Sequence, residues 1–415
     1  MQRISSWQHD EHKIHGVVGI MAAGYTSTLL NLSEVHDART LFHEMALQKA
    51  IPSARIVDKP LILYGAGDLG RMAKAFFDKL GIPFLYVVDA NPDRCVGDAA
   101  WKGVSIVKPE DVPEEHRANC LLAICVVTHS YSSVSDPLTK QGWRDVVPFY
   151  DVSEAYADRH PLGNGWFTGD LKHVDVEGVE YVLDQWNDDI SKAHHLQFIA
   201  WHSLRKEMVF DGAPVTTGNR FFIPEVISSF GEEEVFLDGG AHHGDVSLRF
   251  MNIVRHKFAK LYAIEPDKEN VKVLRNRLCP EDELSTDKIE ILECALGNQS
   301  GSAPFLHGFN YASRFSPMAQ ETVDVRTIDD MNIPISILKL HLEGSELEAL
   351  QGAAGVLKRY RPIVAATTYH NRKGLWLTPE FLMKRLNDYV FLLRLHSWMG
   401  TGCVLYAIPR ERYDC

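Results

Sequence analysis

Apolar positions along the chain follow the same order twice: a short unbroken apolar run, a glycine-rich turn, an amphipathic stretch, a second apolar run and then an acid. In the first copy Leu61 to Tyr64 read as a buried strand, and Leu69, Met72, Ala73, Phe76, Phe77 and Leu80 recur at helical spacing until Gly81 stops the helix. A second strand, Phe84 to Val88, then delivers Asp89. In the second copy Val235 to Leu237 precede the turn Asp238-Gly239-Gly240-Ala241-His242-His243-Gly244, and a helix opens with Val246, Leu248, Phe250 and Met251. Its next strand, Leu261 to Ile264, ends in Glu265-Pro266-Asp267, with Asp267 placed to cap the helix carrying Val271, Leu274 and Leu278. Alternating strand and helix patterns of this kind predict α/β architecture with parallel sheets. The expected fold class is two Rossmann-like, doubly wound domains.

Four segments follow: residues 1–57 as an N-terminal helical arm, from TLLNLSEVHDARTLFHEMALQ; 58–150 as the first Rossmann-like unit; 151–217 as a helical connector or an extra layer; and 218–415 as the second unit. Near the end, Ile335 to Leu342 predict a strand, and Ser345 with Glu348 a capping box opening a helix through Leu357.

Composition removes several classes of function. At 415 residues and 45% hydrophobic content the chain can bury more than one core, and a formal charge of −12 disfavours nucleic acid as a partner. Seven cysteines without a C-x-x-C pair suggest neither a disulfide framework nor a zinc site, which fits a reducing, cytoplasmic setting. GVVGIMAAGY is too short to span a bilayer and follows the mixed-charge run QHDEHKIH, so no membrane partner is expected. His194, His195 and His202 lie in a mixed helix without a carboxylate at ligand spacing, and no metal is assigned. Oligomeric state is left open.

Gly65, Gly67 and Gly70 form G-x-G-x-x-G in the right context, and Asp89 stands where an acid can accept ribose hydroxyls; packing alone explains the same glycines. This stretch, with DANPD and GVSIVKPEDV, resembles the nucleotide-sugar-binding domain of bacterial sugar acyltransferases. That resemblance implies a possible second nucleotide site at Gly65, Gly67, Gly70 and Asp89.

The second unit suits a ligand carrying ribose and a carboxylate, because Glu265 ends the second strand and the helix beyond Gly244 offers free N–H groups. S-adenosylmethionine carries both. Asp238 and Glu265 are expected to grip its adenosyl group beside the bend, with His242 tolerating positive φ. VFLDGGAHHG, YAIEPD, ECALGNQSGSAPF and ILKLHLEGSELEALQGAAGVLKRYRPIVAATTYH are similar to successive motifs of the FkbM-type S-adenosylmethionine-dependent methyltransferases, and the resemblance extends over residues 218 to 410. It implies a class I methyltransferase fold ending in an antiparallel hairpin. The cofactor residues are then Asp238, Gly240, Ala241, His242, Gly244, Glu265, Pro266, Glu293 and Ala295, with Glu293, Cys294 and Ala295 expected near the adenine. His341 stands where the family shows Asp.

The partner is expected to be a small-molecule hydroxyl acceptor on a sugar, polyketide or related compound, with the N-terminal unit suited to a nucleotide-linked form. His341, Glu343 and His370 are the candidates for proton removal, Glu343 and His370 first. Asn310, Tyr311, Ser313 and Arg314 offer a polar loop for substrate, and Trp376 and Trp398 are candidate walls. Two other readings stay open: an NAD-binding oxidoreductase using the N-terminal unit, and a non-catalytic nucleotide-binding protein.

Overall fold

The structure is a computed structural model that describes residues 17–20, 25–49, 53–279 and 286–413. The charged run before residue 16 and Cys415 lie outside the described residues. The C-terminal unit is built on a seven-stranded sheet: β1 (Val235–Gly239), β2 (Lys260–Ile264), β3 (Ile289–Leu292), β4 (Ile337–Leu340), β5 (Ile363–Thr367), β6 (Tyr389–Leu395) and β7 (Cys403–Pro409). Their order across the sheet is β3-β2-β1-β4-β5-β7-β6, parallel up to β5, with β7 antiparallel to both β5 and β6. The terminal hairpin is therefore present. The chain reverses direction across the sheet at β1 and β4, and their carboxyl ends frame the crevice where ligands bind in open α/β sheets.

The N-terminal unit is a separate five-stranded parallel sheet with Leu61–Tyr64 at its centre, flanked by Val87–Val88 and Leu121–Ile124. Its helix Asp68–Leu80 ends at Gly81 in the left-handed region, as the periodicity requires. The predicted strand over 84–88 shortens to Val87–Val88.

One segment assignment changes and another is narrowed. In the proposed arm, Thr26–Asn31 is a strand parallel to Lys206–Asp211, and among its described residues only Ala38–Ala46 is α-helical. The connector is a packed layer. Helices His173–Gln185 and Asp189–Leu204 share one apolar core with β1, β4 and β5 through Val179, Leu183, Leu196 and Ile199. The second of these helices is buried almost all round, which is why its apolar face is hard to read from sequence. His194, His195 and His202 lie inside it and bond to the carbonyls of Ala213, Leu375 and Gly400. They are core histidines. Burial pushes their pKa values down to about 4, about 4 and about 3.

The helix expected from Ser345 divides into Glu346–Gln351 and Ala354–Tyr360, and Ser345 makes no side-chain cap. Glu346 supplies the local order instead, accepting from the amides of Leu342 and Gly344.

Candidate functional site

The bend after β1 is held by charge. Asp238 is fully buried; one carboxylate oxygen accepts from Lys339 Nζ at 2.7 Å and the other from Ser247 Oγ at 2.7 Å. Lys339 lies directly opposite on β4 and also donates to the Gly240 carbonyl at 2.9 Å. The expectation that Asp238 grips a ligand is thus corrected: it is a positioning residue, because a buried lysine on the neighbouring strand claims it. Gly240 has φ +71, and a Cβ there would overlap the His341 carbonyl oxygen, so the bend and the end of β4 approach as closely as backbone allows. His242 adopts φ +49, a conformation that suits histidine better than most side chains.

Beyond this bend opens a cavity. Of the expected cofactor residues, Gly240, His242, Glu265, Pro266 and Ala295 line it. Ala241, Gly244 and Glu293 do not. Ala241 is buried in the core beneath the bend, Gly244 begins the helix Asp245–Ile253 and packs toward Leu274, and Glu293 turns outward toward Arg275. The residue after Glu293, Cys294, faces the cavity in its place. Leu296 and Phe305 add an apolar wall that the motifs did not reveal.

Glu265 is buried at the end of β2 and accepts from His242 N at 2.8 Å, Asp267 N at 3.0 Å and Asn270 Nδ2 at 3.3 Å. A carboxylate has about four acceptor sites, so about one remains for a ligand hydroxyl rather than the two expected. Burial raises its pKa against the pull of those donors. Asp267 caps the following helix as expected, and its other oxygen accepts from Gly308 N and Ser313 Oγ, fixing the loop over 307–316 across the cavity. Tyr311, Ser313 and Arg314 of that loop line the cavity, while the Asn310 side chain lies outside the described residues.

A second cavity adjoins the first, and Arg314, Phe315, Glu343 and Ser345 line both. Its far wall is Ala157 to Pro161, which follows the N-terminal unit; sequence motifs gave no sign of this. Lys79 of the N-terminal unit donates to the Gly308 carbonyl at 2.7 Å, tying that unit to the same loop. Trp376 and Trp398 line neither cavity. Trp376 packs on Gly178 and donates to Asp175 at 3.1 Å.

The three proton-transfer candidates converge where the cavities meet. Glu343 Oε1 lies 3.3 Å from Nε2 of both His341 and His370, and His370 Nδ1 lies 2.9 Å from Glu346 Oε1. Their side chains are 21%, 18% and 2% exposed for His341, Glu343 and His370 respectively. Burial, reinforced by the Arg220 guanidinium, pushes His341 down to about 3. Burial acts to lower His370 too, but the carboxylates of Glu343 and Glu346 raise it well above its ordinary value. Glu343 is held low by the two rings despite its burial.

In the N-terminal unit Gly65 and Asp89 line a third cavity, whereas Gly67 and Gly70 do not. A Cβ on Gly70 would overlap the Gly65 carbonyl oxygen, so this glycine serves helix-to-strand packing. Asp89 accepts from Ala66 N, Asn91 N and Arg94, and its carboxylate therefore holds the turn.

Residues 238–393 match the family model described as the methyltransferase FkbM domain. No curated protein matches the chain. Among solved structures, the methyltransferase FkbM of Methylobacillus flagellatus KT has TM-score 0.59 at 18% identity, covering 91% of this chain and 100% of its own, which shows a shared fold. An SAH-bound methyltransferase of Podospora anserina, PaMTH1, has TM-score 0.28 at 9% identity over 62% of this chain and 93% of its own. An rRNA methylase of Streptococcus thermophilus has TM-score 0.29 at 12% identity over 45% and 94%. These last two likenesses are too low to bear on function. No helix among the described residues is long and apolar enough to cross a membrane. Residues 238–393 are thus similar to the methyltransferase FkbM domain, and the chain shares its fold with a solved methyltransferase FkbM.

Proposed function

We propose that the protein transfers a methyl group from S-adenosylmethionine to a hydroxyl of a small molecule, such as a sugar or polyketide. The observation that carries this reading is the meeting of two cavities at Glu343: one lined by the glycine bend, Glu265 and the apolar wall, the other by polar groups of the C-terminal unit and of the segment 157–161. The first fits an adenosyl donor, with Glu265 accepting from the ribose and Cys294, Ala295, Leu296 and Phe305 beside the base. The second takes the acceptor. Methyl displacement needs nucleophile, carbon and sulfur nearly in line, so a passage joining the two chambers does much of the work by positioning. His341, Glu343 and His370 stand at the junction and orient the hydroxyl for attack. Lys339 and Asp238 act by fixing the bend.

Titration calorimetry of the full chain with S-adenosylmethionine tests the donor site, and transfer of a labelled methyl group to hydroxylated acceptors tests the reaction. Absence of binding would end the proposal. An NADH fluorescence titration tests the oxidoreductase alternative; stoichiometric binding there would restore it.

A further inference from the structure

The grouping of His341, Glu343 and His370 has a feature that hydrogen bonding does not account for. Nε2 of each ring lies 3.3 Å from the same Glu343 oxygen, yet the buried His370 Nε2 has no hydrogen-bond partner. One donor atom from each of the three residues lies within 4.8 Å of the others. Ligands held about 2.1 Å from one ion stand about 3.0 Å apart at adjacent octahedral positions and about 3.4 Å apart at tetrahedral ones. The observed 3.3 Å spacings fit that range.

The surroundings orient the rings as metal ligands. His370 Nδ1 faces Glu346 Oε1 at 2.9 Å, and that oxygen also accepts from Thr367 Oγ1 at 2.7 Å and Leu342 N at 2.9 Å. A carboxylate fixed behind one ring nitrogen sets the tautomer and turns the lone pair of the other outward. His341 Nε2 also lies 3.2 Å from the Tyr369 hydroxyl, which accepts from Arg220 at 2.6 Å; an ion bound at Nε2 would take the place of that contact. Arg220 and Arg314 bring positive charge to the neighbourhood, against the two carboxylates of Glu343 and Glu346.

We propose that His341 Nε2, Glu343 Oε1 and His370 Nε2 form a site for a divalent transition-metal ion whose open positions face the acceptor cavity. Two imidazoles with one carboxylate suit Zn²⁺, Co²⁺, Mn²⁺ or Fe²⁺; Mg²⁺ and Ca²⁺ prefer oxygen ligands. The ion's role, though not its binding, rests on the methyltransferase reading. It would hold the acceptor's hydroxyl oxygen and acidify it. The oxygen–methyl bond then forms as the sulfur–methyl bond breaks, the electron pair leaves on sulfur, and the hydroxyl proton passes to water.

The test uses full-length protein dialysed against a chelator and then titrated calorimetrically with Zn²⁺ and, separately, Mg²⁺, with Co²⁺ followed by visible absorption. One Zn²⁺ per chain is expected, with Mg²⁺ at least about 100-fold weaker. His341→Ala and His370→Ala should each weaken Zn²⁺ by about 100-fold or more, and Glu346→Gln by about 10- to 100-fold. Thermal melting and S-adenosylmethionine binding by the same preparations report the fold and the donor site. If His370→Ala does not fold, the more accessible His341→Ala and the conservative Glu343→Gln decide. Wild-type protein that binds S-adenosylmethionine but no stoichiometric Zn²⁺, or folded variants that bind Zn²⁺ as the wild type does, would overturn the site. Zn²⁺ binding lost in the variants, without any S-adenosylmethionine binding, would support the site and sink the methyltransferase reading instead.

Discussion

At each glycine bend an acid at the end of the second strand accepts from a backbone amide of the bend, from the amide two residues after itself and from one side chain. For Glu265 those donors are His242 N, Asp267 N and the neutral amide of Asn270; for Asp89 they are Ala66 N, Asn91 N and the guanidinium of Arg94. The third donor makes the difference. Beside a neutral amide, burial raises the pKa of Glu265; at Asp89 the backbone donors and the Arg94 cation overcome burial and lower it. Asp89 has its charge matched within the chain, whereas Glu265 keeps net negative charge for a ligand. The C-terminal bend alone has an acid on its first strand, Asp238, paired with a lysine. The same sequence grammar therefore builds a turn that is complete in itself in one unit and a turn still open to a ligand in the other.

Acid should separate the two regions most strongly. His194, His195 and His202 are buried in the helical layer of the C-terminal unit, while no histidine among the described residues of 58–150 is buried. Their folded pKa values, about 4, about 4 and about 3, lie below the ordinary histidine value. The stability they leave intact is fully present above about pH 6.5 and is lost as the unfolded chain takes up protons below it, at about 1.4 kcal/mol per pH unit for each ring. Hydrogen exchange at falling pH should show residues 166–204 and the β6–β7 hairpin losing protection before the Leu61–Tyr64 strand. Simultaneous loss would break the contrast.

Lys339→Met comes next. It leaves Asp238 buried without its cation and should cost about 3–5 kcal/mol in chemical denaturation. Substituting Asp238 with Leu on that background should recover much of the loss, because two apolar groups need no compensation.

Glu265→Gln should weaken S-adenosylmethionine by about 10-fold or more in calorimetry, as expected for losing a hydrogen bond to a charged acceptor. Asp89→Asn should leave that affinity unchanged. The smallest effect belongs to Arg94→Ala, at about 1 kcal/mol or less by thermal melting, since the arginine side chain is 56% exposed.

Local pattern determined much of this protein. Two apolar runs leading into glycine turns located both parallel sheets; the Gly81 stop and the Asp267 cap were legible because each depends on residues a few positions apart, and the final hairpin only through its resemblance to the family's ending. Gly240 and Glu265 were legible for the same reason. Tertiary structure decided what those residues face. Asp238 and Lys339 are 101 residues apart and meet through the register of β1 with β4, which no periodicity encodes. His341 and His370 end two neighbouring strands, and only the pairing of β4 with β5 brings their rings to one carboxylate. Whether 173–204 forms a connector or a layer stayed open in the sequence because a helix buried on all sides lacks the polar face that marks its orientation. Sequence fixes backbone shape over short spans, whereas charge pairing and ligand geometry depend on distances across the sheet.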